Sequence, residues 1–160
     1  AYMLPLALSS ATSVLTAQAI GAGDWSRARR TAWFGFALAQ SCALALAASL
    51  WLGREPLVLA YTNQPDVREV ALSLIGLMAI FHVFDATQCA AAFALRAYRV
   101  AFVPMVIYAV ALWGVGLGGG WWLAYSRELG VAGFWAAGAA GLLIASIALT
   151  ALLAAVSRRR

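Results

Sequence analysis

Apolar residues in this chain do not recur along one helical face. They run on for about twenty positions at a time, broken by short clusters of glycine, proline, asparagine and arginine. At 1.5 Å per helical residue, such a run matches the roughly 30 Å hydrocarbon thickness of a bilayer, so each reads as a membrane-spanning helix. Five are predicted, at about Tyr2 to Ile20, Thr31 to Leu52, Val67 to Leu95, Pro104 to Tyr125 and Val131 to Val156. Between the first two, Gly21-Ala22-Gly23 ends one helix and Asp24 can cap the next. The stretch from Glu55 to Tyr61 is amphipathic and leads into the turn Thr62-Asn63-Gln64-Pro65-Asp66, which is predicted to lie at the membrane interface. Pro104 suits the first turn of its helix, where a missing N–H is no loss. Gly114, Gly116, Gly118, Gly119 and Gly120 crowd the fourth span and predict a kink or a close helix crossing.

Composition turns this pattern into a fold class. The 160 residues are 64% hydrophobic and 11% charged, with a mean hydropathy of +0.86, whereas soluble domains are about 45 to 50% apolar and about 25% charged. The expected fold is an all-α membrane protein with five transmembrane helices, whose membrane lipids are its surroundings. The net charge of +5 comes from arginine alone, since lysine is absent. Because the arginines sit at segment ends and form no stripe, they report orientation and argue against nucleic-acid binding. If the first loop is cytoplasmic, Arg27, Arg29, Arg30, Arg96, Arg99, Arg158, Arg159 and Arg160 share that side, against Arg54, Arg68 and Arg127 on the other. The carboxy terminus is then expected in the cytoplasm. Opening on Ala1, without a charged leader before its first apolar run, the chain is expected to be a piece of a longer protein.

Asp85 stands out against this background, inside the otherwise apolar run from Leu72 to Ala94. A carboxylate near the middle of a spanning helix costs about 2.5 to 3.5 kcal/mol on insertion scales, and such residues mark ion paths or binding sites. Helical spacing puts Phe81, His82, Gln88 and Cys89 on the same broad face. That face offers an acid, an imidazole and an amide, able to serve a proton carrier or, with enough oxygens, a sodium site at Asp85. The plainer reading of His82 and Gln88 is as hydrogen-bonding neighbours that orient the acid. Ser9, Thr12, Ser13 and Thr16 form a polar stripe on the first span, read as close-packing hydroxyls or as a wet cavity wall. Tyr108 and Trp113 in the fourth span, with Phe81, are candidates for a cavity that takes flat cationic drugs. Trp25, Trp51, Trp121, Trp122 and Tyr125 fall near span ends, as in an aromatic belt. Cys42 and Cys89 lie within spans and read as packing residues. No glycine-rich phosphate loop and no nucleophile with a placed base occur, so neither an ATP-driven motor nor an enzyme is indicated, and no cofactor is expected.

Four separated motifs carry a resemblance. Leu4-Pro5-Leu6-Ala7 through Ala17-Gln18-Ala19-Ile20-Gly21-Ala22-Gly23-Asp24 and Ala28-Arg29, then Phe84-Asp85-Ala86-x-Gln88, Leu95-Arg96-Ala97-Tyr98, and Gly130-Val131-Ala132-Gly133-Phe134-Trp135 resemble, in order and spacing, the multidrug and toxic compound extrusion (MATE) transporters, most closely their NorM-like branch. The resemblance implies that residues 1–160 are part of the carboxy-terminal lobe, spans eight to twelve of a twelve-helix transporter in a bacterial inner membrane. It further implies export of cationic or amphipathic drugs driven by entry of a proton or sodium ion, with Asp85 in the ion site. The chain departs from that family at Phe81, where tyrosine is common, at His82, where glutamine is common, and at Ala97 and Gly118. Losing a hydroxyl and gaining an imidazole favours the proton. A lipid or polysaccharide flippase of related fold and a non-transporting membrane scaffold are the alternative functions.

Overall fold

The computed structural model of the chain describes residues 3–159. Six helices follow in order: α1 (Met3–Gly21), α2 (Trp25–Leu52), α3 (Arg54–Tyr61), α4 (Pro65–Ala97), α5 (Phe102–Ser126) and α6 (Gly130–Arg159). All but α3 are long and apolar enough to cross a membrane. Tyr2 and Arg160, which the sequence reading assigns to the first span and to the basic terminus, lie outside the described residues.

Helix ends extend past the apolar runs because a helix need not stop where the lipid does. Thus α2 starts at Trp25 and not at Thr31, carrying Arg27, Arg29 and Arg30 on its first turns. Its start is fixed by Asp24, whose carboxylate accepts from the Arg27 backbone N–H at 2.8 Å and from the Ser26 hydroxyl at 3.1 Å. Before it, Gly23 takes φ +77°, a left-handed conformation that costs glycine little. α4 ends differently. Arg99 adopts φ 61°, and the Val100 N–H reaches back to the Leu95 carbonyl at 3.0 Å, closing the last turn while Val100 packs against the core.

The packing follows small residues. In α2, Ala28, Ala32, Gly35, Ala39, Ala43 and Ala47 form one buried stripe, and in α6 Gly133, Ala137, Gly141, Ala145, Leu149 and Leu153 form another. Such stripes let helix backbones approach where lipid supplies no hydrophobic drive. α4 is the centre, touching α1, α2, α3 and α6, while α5 packs against α6. The core lies at the end of α4 where Ala91, Ala92, Ala94, Leu95 and Tyr98 meet Ala32, Leu149 and Leu153. Trp33 Nε1 donates to Ser157 Oγ at 3.2 Å, tying the start of α2 to the end of α6.

The glycine-rich fourth span is not simply kinked. From Ala109 to Gly118 its backbone winds as a π-helix between two α-helical segments, Phe102–Tyr108 and Gly119–Ser126. There α6 approaches so closely that a Cβ on Gly141 would lie 2.5 Å from the Ala111 carbonyl oxygen. π-helical winding and a close crossing occur together, with glycine on both sides of the contact.

Candidate functional site

Asp85 lies where the packed core of α4 gives way to an open chamber of about 500 Å³. The chamber is bounded by Leu50 of α2, by Met78, Phe81, His82 and Asp85 of α4, and by Trp135 and Leu142 of α6. The α4 residues share a wall because they fall at helical intervals; Leu50, Trp135 and Leu142 arrive through tertiary packing. Phe81 and Trp135 meet edge to face, with ring centroids 5.6 Å apart and planes at 85°.

One oxygen of the carboxylate is fixed. Gln88 Nε2 donates to Asp85 Oδ1 at 2.7 Å, from one turn along the same helix. Gln88 Oε1 and His82 Nε2 are buried without a hydrogen-bond partner. Buried polar atoms are nearly always paired, so these two are available to a further hydrogen-bond partner beside the carboxylate. The arrangement can hold a proton, or a monovalent cation between oxygens, beneath an aromatic wall that suits a flat cation.

The other sequence candidates are placed elsewhere. Ser9 and Thr12 are buried in helix contacts, their hydroxyls donating to the Pro5 and Leu8 carbonyls at 2.7 Å each, and Thr12 packs against Gly35. Neither lines the chamber, and the face they occupy is turned to α2 and α4. Trp113 is 73% exposed on α5 and does not line the chamber. Tyr108 stands nearer, its hydroxyl donating to the Gln88 carbonyl at a long 3.4 Å, and so supports the helix that carries the acid. Trp135 and the bond from Thr87 Oγ1 to Gln40 Oε1, 2.8 Å between α4 and α2, were not legible as site features. A tryptophan one turn into the last span carried a signal, but nothing in α6 alone says that it faces Phe81.

Residues 1–122 match the family model described as MatE. The chain belongs to the MatE family. Curated relatives named "Probable multidrug resistance protein NorM" include one from Aromatoleum aromaticum, 45% identical over 163 residues, covering 99% of this chain and 35% of that protein. Another, from Neisseria meningitidis serogroup B, is 41% identical over 157 residues, covering 98% of this chain and 34% of that one. The chain thus spans about a third of the length of these curated relatives. Its fold is similar to the crystal structure of the eukaryotic MATE transporter AtDTX14, with a TM-score of 0.85 over 99% of this chain and 36% of that chain; at 18% identity the likeness is one of fold. Five apolar helices and bacterial MatE relatives make this a multi-pass membrane protein of bacterial kind.

Proposed function

We propose that this MatE chain works as part of the carboxy-terminal lobe of a multidrug efflux antiporter, in which Asp85 couples export of cationic or amphipathic compounds to entry of a proton. The observation that carries this reading is a carboxylate at the wall of an apolar, aromatic-lined chamber, with Gln88 bonded to it and His82 beside it. The names of the curated relatives support the substrate class. The arginine bias supports a bacterial inner-membrane setting with the carboxy terminus in the cytoplasm.

The chemistry needs little more than these residues. Ionised, Asp85 accepts the Gln88 N–H and attracts a cation to the Phe81 and Trp135 wall. Protonated, it can donate to the amide oxygen instead, because an amide offers either a donor or an acceptor by rotating. A proton and a drug cation then compete for one negative charge, which is the minimum requirement for exchange. Rocking of one lobe against the other supplies alternating access.

Sodium in place of the proton is the second reading, favoured by one specific observation, the unpartnered Gln88 Oε1 next to the carboxylate. A flippase is less well supported, since among the described residues no arginine lines the chamber to hold an anionic headgroup. A scaffold leaves a carboxylate in the middle of a span without a purpose.

Replacing Asp85 with Asn in the polypeptide as the cell makes it is expected to reduce efflux of a fluorescent lipophilic cation to background at unchanged membrane expression. Wild-type efflux by that variant would sink the reading. A pH gradient in sodium-free buffer should drive wild-type efflux. An absolute sodium requirement would transfer the role to the second cation.

A further inference from the structure

The end of the molecule where α1 meets α2 and α4 meets α5 carries a charge that the described residues do not balance. Among the described residues, Arg27, Arg29, Arg30, Arg96, Arg99, Arg158 and Arg159 lie at the helix ends grouped there. Asp24 is the acid among them, and its carboxylate is already taken by the Arg27 backbone N–H and the Ser26 hydroxyl. Glu55, Asp66 and Glu69 lie near the opposite ends of α2 and α4, Glu128 lies between α5 and α6, and Asp85 lies mid-helix. Several guanidinium groups therefore face the interface with no carboxylate of their own.

Two of these arginines border a defined groove. Ser26, Arg29, Arg30 and Trp33 border a shallow hollow of about 550 Å³, open to the surface, on the first turns of α2. Its aromatic wall is held in place, since Trp33 donates to Ser157 on α6 and meets Phe36 edge to face at 5.5 Å. Arg29 and Arg30 are exposed, and Phe34, one residue beyond Trp33, is 72% exposed on the side of the spanning segment. Trp33 packs against the buried cluster that includes Tyr98, 2% exposed, its hydroxyl without a hydrogen-bond partner. Burial raises the Tyr98 pKa, and the nearby Arg29 charge works against that rise. Along α2 from its start toward the bilayer, the order is a serine hydroxyl, two exposed guanidinium groups, an indole and an apolar ring. A phospholipid presents its groups in the matching order: phosphate, glycerol, acyl chain.

The geometry points to the groove of Ser26, Arg29, Arg30 and Trp33 as a binding site for the phosphate headgroup of an anionic phospholipid. Guanidinium groups hold phosphate oxygens by bidentate, charge-assisted hydrogen bonds. Trp33 suits the boundary depth, where an indole has one wet and one apolar side. The exposed Phe34 favours a lipid over free phosphate, because only a lipid brings acyl chains to cover it. This site is independent of Asp85 and of the efflux reading.

The test uses the polypeptide as the cell makes it, purified in neutral detergent and titrated by native mass spectrometry with phosphatidylglycerol, and in parallel with phosphatidylcholine. Wild type should retain phosphatidylglycerol in preference to phosphatidylcholine. Arg29→Gln with Arg30→Gln should weaken that binding about thirtyfold, the product of two interfacial charges. Arg30→Gln alone, an exposed change with no packing to lose, should weaken it about fivefold. Arg54→Gln with Arg127→Gln, outside the groove, should leave it unchanged. Equal loss in that control pair, equal retention of phosphatidylcholine, or displacement of the lipid by millimolar inorganic phosphate would each overturn the assignment.

Discussion

From Ala86 to Ala97, α4 buries Ala86, Gln88, Cys89, Ala90, Ala91, Ala92, Ala94, Leu95 and Ala97, while from Pro65 to Asp85 it buries only Gly76 and Ala79. Both halves are apolar, yet the first is rich in alanine and the second in Leu72, Leu74, Ile75, Leu77, Met78 and Ile80. Small side chains let the first half lie against neighbouring backbones, as lipid-embedded helices require for close contact. Bulky ones hold the second half apart, and Leu77, Met78 and Ile80 remain exposed among the described residues. One helix thus joins a fixed hub to an open wall, and Asp85 is the residue at the join. A change of charge there acts where packing stops constraining the chain.

The sharpest way to separate the halves is to change one residue in each and at the join. Asp85→Asn is expected to abolish efflux while leaving the thermal melt of the purified protein close to wild type, because Asn keeps the shape and can still meet Gln88. Ala91→Leu should lose both activity and stability, since Ala91 is fully buried and overpacking costs about 1 to 3 kcal/mol. Leu77→Ala, at a position 38% exposed, should change the melt by no more than about 0.5 kcal/mol. If Leu77→Ala destabilised as much as Ala91→Leu, the wall would be as tightly packed as the hub and the contrast would fail.

A subtler change tests what tunes the join. His82 sits one turn before Asp85, and its Nε2 is buried without a partner. His82→Gln should preserve efflux within about threefold at neutral pH but move its pH profile, since an imidazole can take up a proton and an amide does not. A superimposable profile would reduce His82 to a packing residue.

Reading the chain by hydropathy found the five helices that, among the described residues, are long and apolar enough to cross a membrane, because burial in lipid demands long apolar runs whatever the helices touch. It also found the Asp24 cap and the grouping of His82, Asp85 and Gln88, since both depend on residues three apart along one helix. What it missed depends on contacts between helices. Nothing in α6 alone announces that Trp135 faces Phe81, and nothing in α1 alone decides between the close-packing and the cavity-wall readings of Ser9 and Thr12. The π-helical winding of Ala109–Gly118 was hidden for a related reason, since hydropathy is blind to whether a turn holds one residue more. Sequence resemblance reached the family because motif spacing survives where facing directions cannot be read.

The smallest expected effect lies at the hub's basic end, where α2 is started by Asp24. Its pKa is held below the usual 3.8, chiefly by the hydrogen bond from the Arg27 backbone N–H and further by Ser26 and the charges of Arg27 and Arg30, against a weaker opposing desolvation. A carboxyl whose pKa is depressed on folding stabilises above its unfolded pKa and loses that contribution as pH falls through the folded value. Wild type should therefore melt at a nearly constant temperature from neutral pH down to about pH 4, with the cap's share lost only below that. Asp24→Asn keeps an acceptor for the same N–H, so its melt should stay near wild type at neutral pH and lack the cap's added fall in acid. Asp24→Ala should be lower than wild type at neutral pH and approach it in acid, where the wild-type cap is protonated. A constant gap between wild type and Asp24→Ala from pH 7 to about pH 3 would show that the α2 start is held by packing, and that the hub's order extends to its outermost turn without help from charge.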